Sequence, residues 1–140
     1  MSRKKARAVC LQCVFESLFH SDGGDEALLD LISPDIDGEE DLNYILATLK
    51  GVREKSDEID AVISSHLRGW TLERISRVSH AVLLLSCYEL LYEKELPPGV
   101  IASEAVALAQ RFDEEEEGRF VNGILRSIIN DTASDGKQES

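Results

Sequence analysis

Apolar residues recur at helical spacing along nearly the whole chain, and nowhere does a strand-length alternation of apolar and polar positions appear. Between positions 3 and 19, Cys10, Val14 and Leu18 form one stripe, and Leu11, Phe15 and Phe19 form a neighbouring one. A helix there is apolar over a wide arc and belongs near the centre of the domain, with Ser2 as its candidate N-cap. The polar stretch "HSDGGDE" reads as a loop, followed by a short helix over Glu26 to Ile32 that stops before Pro34. From Glu39 onward, Leu42, Ile45, Leu46, Leu49 and Val52, then Ile59, Val62, Ile63 and Leu67, hold one register through Gly51, which fits either one long helix or two in series.

Thr71 in "GWTLER" is the candidate N-cap of a helix carrying Leu72, Ile75, Val78, Val82, Leu85 and Tyr88. Its run "AVLLLSCYELLY" is apolar nearly all round, as the first arm of a buried hairpin should be. "EKELPPG" turns the chain, and a helix over about 102–112 returns with Ala105, Val106, Leu108 and Ala109. A last helix carries Phe120, Ile124, Leu125 and Ile128, with the acids Glu114 to Glu117 favourable at its start. Asn122-Gly123, ordinarily a turn signal, falls inside that register; a glycine there costs ~1 kcal/mol against alanine and points to close helix packing. The expected fold is all-α.

A chain of 140 residues is one domain's worth, assigned here to residues 1–131, with 132–140 as a disordered polar tail. With 43% hydrophobic and 30% charged residues it falls in the globular class. The start lacks an apolar leader segment, and no apolar run approaches the ~18 residues needed to span a bilayer, so a soluble, cytoplasmic protein with no membrane role is expected. Three cysteines are too few for a disulfide framework. Cys10 and Cys13 form a C-x-x-C, but His20, His66 and His80 are scattered singly, so no metal site is expected. No nucleophile elbow, Walker glycine loop or dinucleotide fingerprint is present, and neither an enzyme nor a cofactor is expected.

Charge narrows the picture further. The formal net charge of −12 includes Arg3, Lys4, Lys5 and Arg7, so the rest of the chain carries −16. Such a body repels nucleic acid at long range while its amino-terminal end attracts it. Two short elements combine cation and ring chemistry: this basic start together with Arg119 and Phe120. Single-stranded RNA is held by that combination, with charge on the backbone and flat groups under unstacked bases. Each has a plainer reading: the basic residues solubilise a helix start, and the spacing of Phe120 by itself favours the core.

The segments "RKKARAVCLQCVF", "GWTLERISRV", "VLLLSCYELLYEKELPPGV", "SEAVALAQRF" and "GRFVNGIL" resemble, in order and spacing, the landmarks of the NusB family of bacterial transcription antitermination factors over about residues 3–130. The resemblance implies about seven helices in two small helical bundles packed across one another. It also implies a non-enzymatic factor that binds boxA RNA of ribosomal RNA leaders together with NusE, a basic small-subunit ribosomal protein, within the RNA polymerase antitermination complex. On the RNA side it places Lys5, Arg7, Arg119 and Phe120, with Arg3 and Lys4 beside them. For the NusE face, Phe15, Phe19 and Glu89 are nominated, Glu89 having a structural ion pair as its alternative role.

The acidic excess then serves to draw a basic partner, leaving RNA to the positive edge. The chain departs from the family pattern in "IASEA", where Ala102 and Ser103 replace Ile and Asn, and in "FDEEEEG", where the family's loop is less acidic. Ser79 and Leu84 stand where acidic and arginine residues are common. "NGILRSI" is also close to a segment of the amino-terminal domain of ribosomal RNA cytosine methyltransferases, so a stand-alone relative of that domain is one alternative and a protein-only helical adaptor another. Monomer and homodimer are both compatible with the sequence.

Overall fold

The computed structural model describes residues 3–19, 39–93 and 95–139, without the side chains of Arg3, Phe19, Glu39 and residues 133–139. Five helices are found among the described residues: α1 (Arg3–Phe19), α2 (Glu39–Ser65), α3 (Arg77–Tyr92), α4 (Pro98–Phe112) and α5 (Glu115–Glu139). The expected count of about seven is corrected to these five. Its short helix over Glu26 to Ile32 lies outside the described residues, and the register from Glu39 is one continuous helix rather than two.

α2 runs through Gly51 without a break. The Tyr88 ring lies so close to it that any Cβ would collide with the phenol, so the glycine serves a close approach between α2 and α3. The contact expected at Gly123 is absent: a Cβ there would meet nothing within 4 Å. α5 nevertheless passes through Asn122-Gly123 unbroken and remains helical through Glu139, beyond the expected domain end at residue 131.

The start of α3 also differs from the sequence expectation. Ser76, not Thr71, is the N-cap: its hydroxyl oxygen accepts from the Ser79 backbone N–H at 3.0 Å and donates to Asp113 Oδ2 at 2.9 Å. Residues 71–75 instead make a turn, closed by the Arg74 N–H to the Thr71 carbonyl at 3.0 Å, which delivers Ile75 into the core. Thr71 has the right side chain for a cap, but Ser76 has two partners and Thr71 has no comparable one. α4 begins four residues earlier than expected because Pro98 occupies its first turn, where the fixed φ suits a helix and the missing N–H has no intrahelical use.

α3 is the axis of the molecule. Every residue from Ala81 to Cys87 is buried, and α3 touches each of the other four helices. α1 and α2 pack against it and each other, while α4 and α5 form a tight antiparallel hairpin against its other side. Polar ties fix the register. His80 Nε2 lies 2.7 Å from Asp60 Oδ1 between α3 and α2, and His66, just past α2, reaches Ser127 Oγ at 2.7 Å and Asp131 Oδ2 at 3.1 Å on α5. No buried side-chain nitrogen or oxygen among the described residues lacks a hydrogen-bond partner.

Candidate nucleic-acid interface

The first element of the expected site is the start of α1. Lys4 and Lys5 are exposed there, and the Arg3 side chain lies outside the described residues. Arg7 is different: it is 5% exposed, and its Nε donates to Oε2 of Glu89, itself 4% exposed, at 3.0 Å. Two residues assigned by sequence to opposite jobs, one to RNA and one to a protein partner, thus form a single buried ion pair joining α1 to α3. Burial pushes the Glu89 carboxyl above its ordinary value of 4.5; Arg7 opposes the shift, and Glu93 and Glu104 add to it. The signal in the sequence was that each is a lone charge inside an otherwise apolar stretch, "ARAVC" and "CYELL".

The second element is the start of α5. Neighbouring residues on a helix point about 100° apart, and the structure separates Arg119 from Phe120 accordingly. Half-buried Phe120 packs on the core and lines a cleft of about 260 Å³ with Trp70, Arg74, Ile75, Ser76, Glu116 and Glu117. Trp70 is 55% exposed in that cleft, a flat surface that no local pattern in "GWTLER" singles out. Exposed Arg119 faces the other way, into a shallow groove between α4 and α5 with Ser103, Val106, Gln110, Asn122 and Arg126. The expected cation-and-ring pair is therefore two surfaces.

The acids between them are not equivalent. Glu117 Oε2 accepts from the Ser79 hydroxyl at 2.6 Å, and Asp113 accepts from the Ser76 hydroxyl and, through Oδ1, from the Glu114 N–H at 2.8 Å. These two carboxylates clamp the start of α5 to the start of α3. Glu114, Glu115 and Glu116 stay exposed, with Glu115 to Glu117 forming the acidic first turn of α5.

On the face nominated for a protein partner, half-buried Phe15 lines an apolar cleft of about 210 Å³ with Leu11, Gln12, Glu16, Val78 and Phe112. The Phe19 side chain lies outside the described residues. Cys10, Cys13 and Cys87 are buried free thiols, and no group of three His, Cys, Asp or Glu among the described residues is placed to hold a metal ion. No described helix is long and apolar enough to cross a membrane.

Against known proteins, the model of the NusB family matches residues 4–130. The chain is 37% identical over 131 residues to the transcription antitermination protein NusB of Bacillus subtilis (strain 168), covering 94% of this chain and 97% of that protein. The corresponding protein of Bacillus velezensis is 38% identical over 134 residues, covering 96% and 100%. Among solved structures, T. maritima NusB superposes with a TM-score of 0.84 at 34% identity, covering 91% of this chain and 90% of that one. A chain from the complex of the antitermination factors NusB and NusE with double-stranded RNA superposes with a TM-score of 0.80 at 25% identity, covering 90% and 94%.

Proposed function

The chain belongs to the NusB family, and from that premise we propose that it is a transcription antitermination factor that binds boxA-type single-stranded RNA jointly with a NusE-type ribosomal protein. It acts without catalysis, in the cytoplasm, by helping RNA polymerase read through terminators in ribosomal RNA operons. The observation that carries this reading is the end-to-end likeness to a NusB chain solved together with NusE and RNA. The five described helices are read as two small bundles that share α3.

In this reading Arg3, Lys4, Lys5 and Arg119 meet RNA phosphates, and Phe120 offers the edge of its ring to a base. Arg7 works indirectly: its buried bond to Glu89 holds the first turns of α1 against α3, so that Lys4 and Lys5 are presented from a fixed helix. The partner docks at the Phe15 cleft, Phe19 is nominated with it from the sequence alone, and Glu89 supports that face through Arg7. A net charge of −12 attracts a basic protein and opposes RNA at long range, so RNA binds well to the two-protein complex and poorly to this chain alone.

The test is a titration of boxA-type and scrambled single-stranded RNA, with and without the NusE-type protein, across a salt series. Preferential binding of the boxA sequence by the complex supports the reading. Equal binding of both RNAs by the complex, with the same salt dependence, defeats it.

A further inference from the structure

α5 carries two chemically opposite faces. Glu116, Glu117 and Phe120 line the cleft with Trp70, whereas Arg119, Asn122 and Arg126, spaced at i, i+3 and i+7, line the groove against α4. The groove holds about 320 Å³, and its lining contains two arginines, two side-chain amides, one serine and no acid, on a molecule whose formal charge is −12. Neither Arg119 nor Arg126 is ion-paired to another described residue. Gly118 shapes one end, because a Cβ there would lie 2.7 Å from Gln110 Cγ, so the glycine lets the Gln110 side chain lie across the helix start.

From this arrangement we propose that the α4–α5 groove is a track for the RNA backbone, in which Arg126 provides a phosphate contact that continues the one made by Arg119. The proposal rests on the RNA-binding reading above and extends it to residues that reading does not use. The two arginines are separated by two helical turns, ~10.5 Å along α5, so each meets a different phosphate. Asn122 lies between them and Gln110 at the Arg119 end, and both offer amide donors and acceptors to sugar hydroxyls and base edges. The track also has a direction. Because α4 and α5 are antiparallel, the Arg126 end lies beside Ser103, so the groove runs from Arg119 toward the first turns of α4. An acidic protein segment is the rival occupant, and the same groove chemistry would suit it.

The experiment uses the full chain with its NusE-type partner and fluorescently labelled boxA-type RNA, comparing wild type with Arg119→Ala, Arg126→Ala and Gln110→Ala/Asn122→Ala. The expected result for Arg126→Ala is about tenfold weaker RNA binding and a log–log salt slope shallower by about 0.7, as for one lost single-strand phosphate contact, with unchanged melting temperature and partner affinity. The amide double variant should weaken RNA binding with the slope unchanged. If Arg119→Ala lowers affinity and slope but Arg126→Ala matches wild type, the track is overturned while the RNA-binding reading stands. If Arg126→Ala weakens the protein partner and leaves RNA untouched, the groove belongs to protein and the proposal is overturned. Should the wild-type complex bind no RNA at all, both fall together.

Discussion

Removing one member of the Arg7–Glu89 pair should produce two different pH signatures. Arg7→Met keeps most of the packing volume but strands a carboxyl that is 4% exposed, between charges from Glu93 and Glu104. That carboxyl escapes by taking up a proton. From its ordinary value of 4.5, staying protonated at pH 7 costs about 3 kcal/mol, and this bounds the loss from the charge alone. The sign follows from linkage: a carboxyl raised in the folded state holds a proton that the unfolded chain releases, so stability falls as pH rises and returns on acidification. Arg7→Met should therefore recover about 1.4 kcal/mol relative to wild type for each pH unit between 7 and 5, less whatever the raised Glu89 already contributes to the same trend in the wild type. Glu89→Gln strands a guanidinium that cannot deprotonate, so its cost of about 3 to 5 kcal/mol should not vanish at pH 5. For a domain of this size such losses correspond to roughly 10 to 15 °C in melting temperature. Circular dichroism melts and guanidinium titrations at pH 5, 6 and 7 measure all three quantities. A loss from Arg7→Met that is the same at pH 5 and pH 7, or below about 1 kcal/mol at pH 7, would refute the buried pair as the anchor of α1.

Glycine substitutions should sort by neighbour: Gly123→Ala, with open space around the new methyl, should stabilise by about 1 kcal/mol, whereas Gly51→Ala, which drives into Tyr88, should destabilise by 1 to 3 kcal/mol or more in the same melts. Glu116→Gln removes an exposed acid from the cleft that contains Phe120, and severalfold tighter RNA binding is expected at low salt, shrinking as salt screens the lost repulsion. Cys87, whose thiol burial pushes up to about 12, should resist alkylation at pH 8 in the folded protein and react only as fast as the chain unfolds; mass spectrometry of time points checks it, and labelling ahead of unfolding counts against the buried position.

The readable and unreadable parts of this molecule divide by the range of the interactions that set them. α1, the unbroken α5 across Asn122-Gly123 and the central burial of "AVLLLSC" follow from spacing within a few turns, and the structure has them where spacing put them. The start of α3 does not, because Thr71 and Ser76 are equally good caps locally; Asp113, 37 residues from Ser76, decides between them. The glycine that permits a close approach is Gly51 and not Gly123, and only the position of Tyr88 distinguishes them. Arg7 and Glu89 showed their charge but not their depth, since their pairing spans 82 residues. For Glu89 a partner face and a structural ion pair are both open from the sequence, and the structure shows the ion pair; nothing local reveals which lone charge will meet another inside the core.

The separation of Arg119 from Phe120 is of another kind, since helical geometry alone puts consecutive residues on different faces. Adjacency in sequence suggested a single cation-and-ring site; the helix turns that adjacency into divergence. The same rotation explains how an acid-rich segment can sit at an RNA-binding edge. The exposed carboxylate of Glu116 is directed to the Trp70 side, while Arg119 and Arg126 line the α4 side, so a phosphate backbone on one face of α5 is offset from the acids on the other. Within one Debye length, ~8 Å at physiological salt, that offset matters more than the net charge of the chain. The −12 formal charge thus governs which molecule approaches from a distance, and the rotation of α5 governs where RNA is tolerated once it arrives.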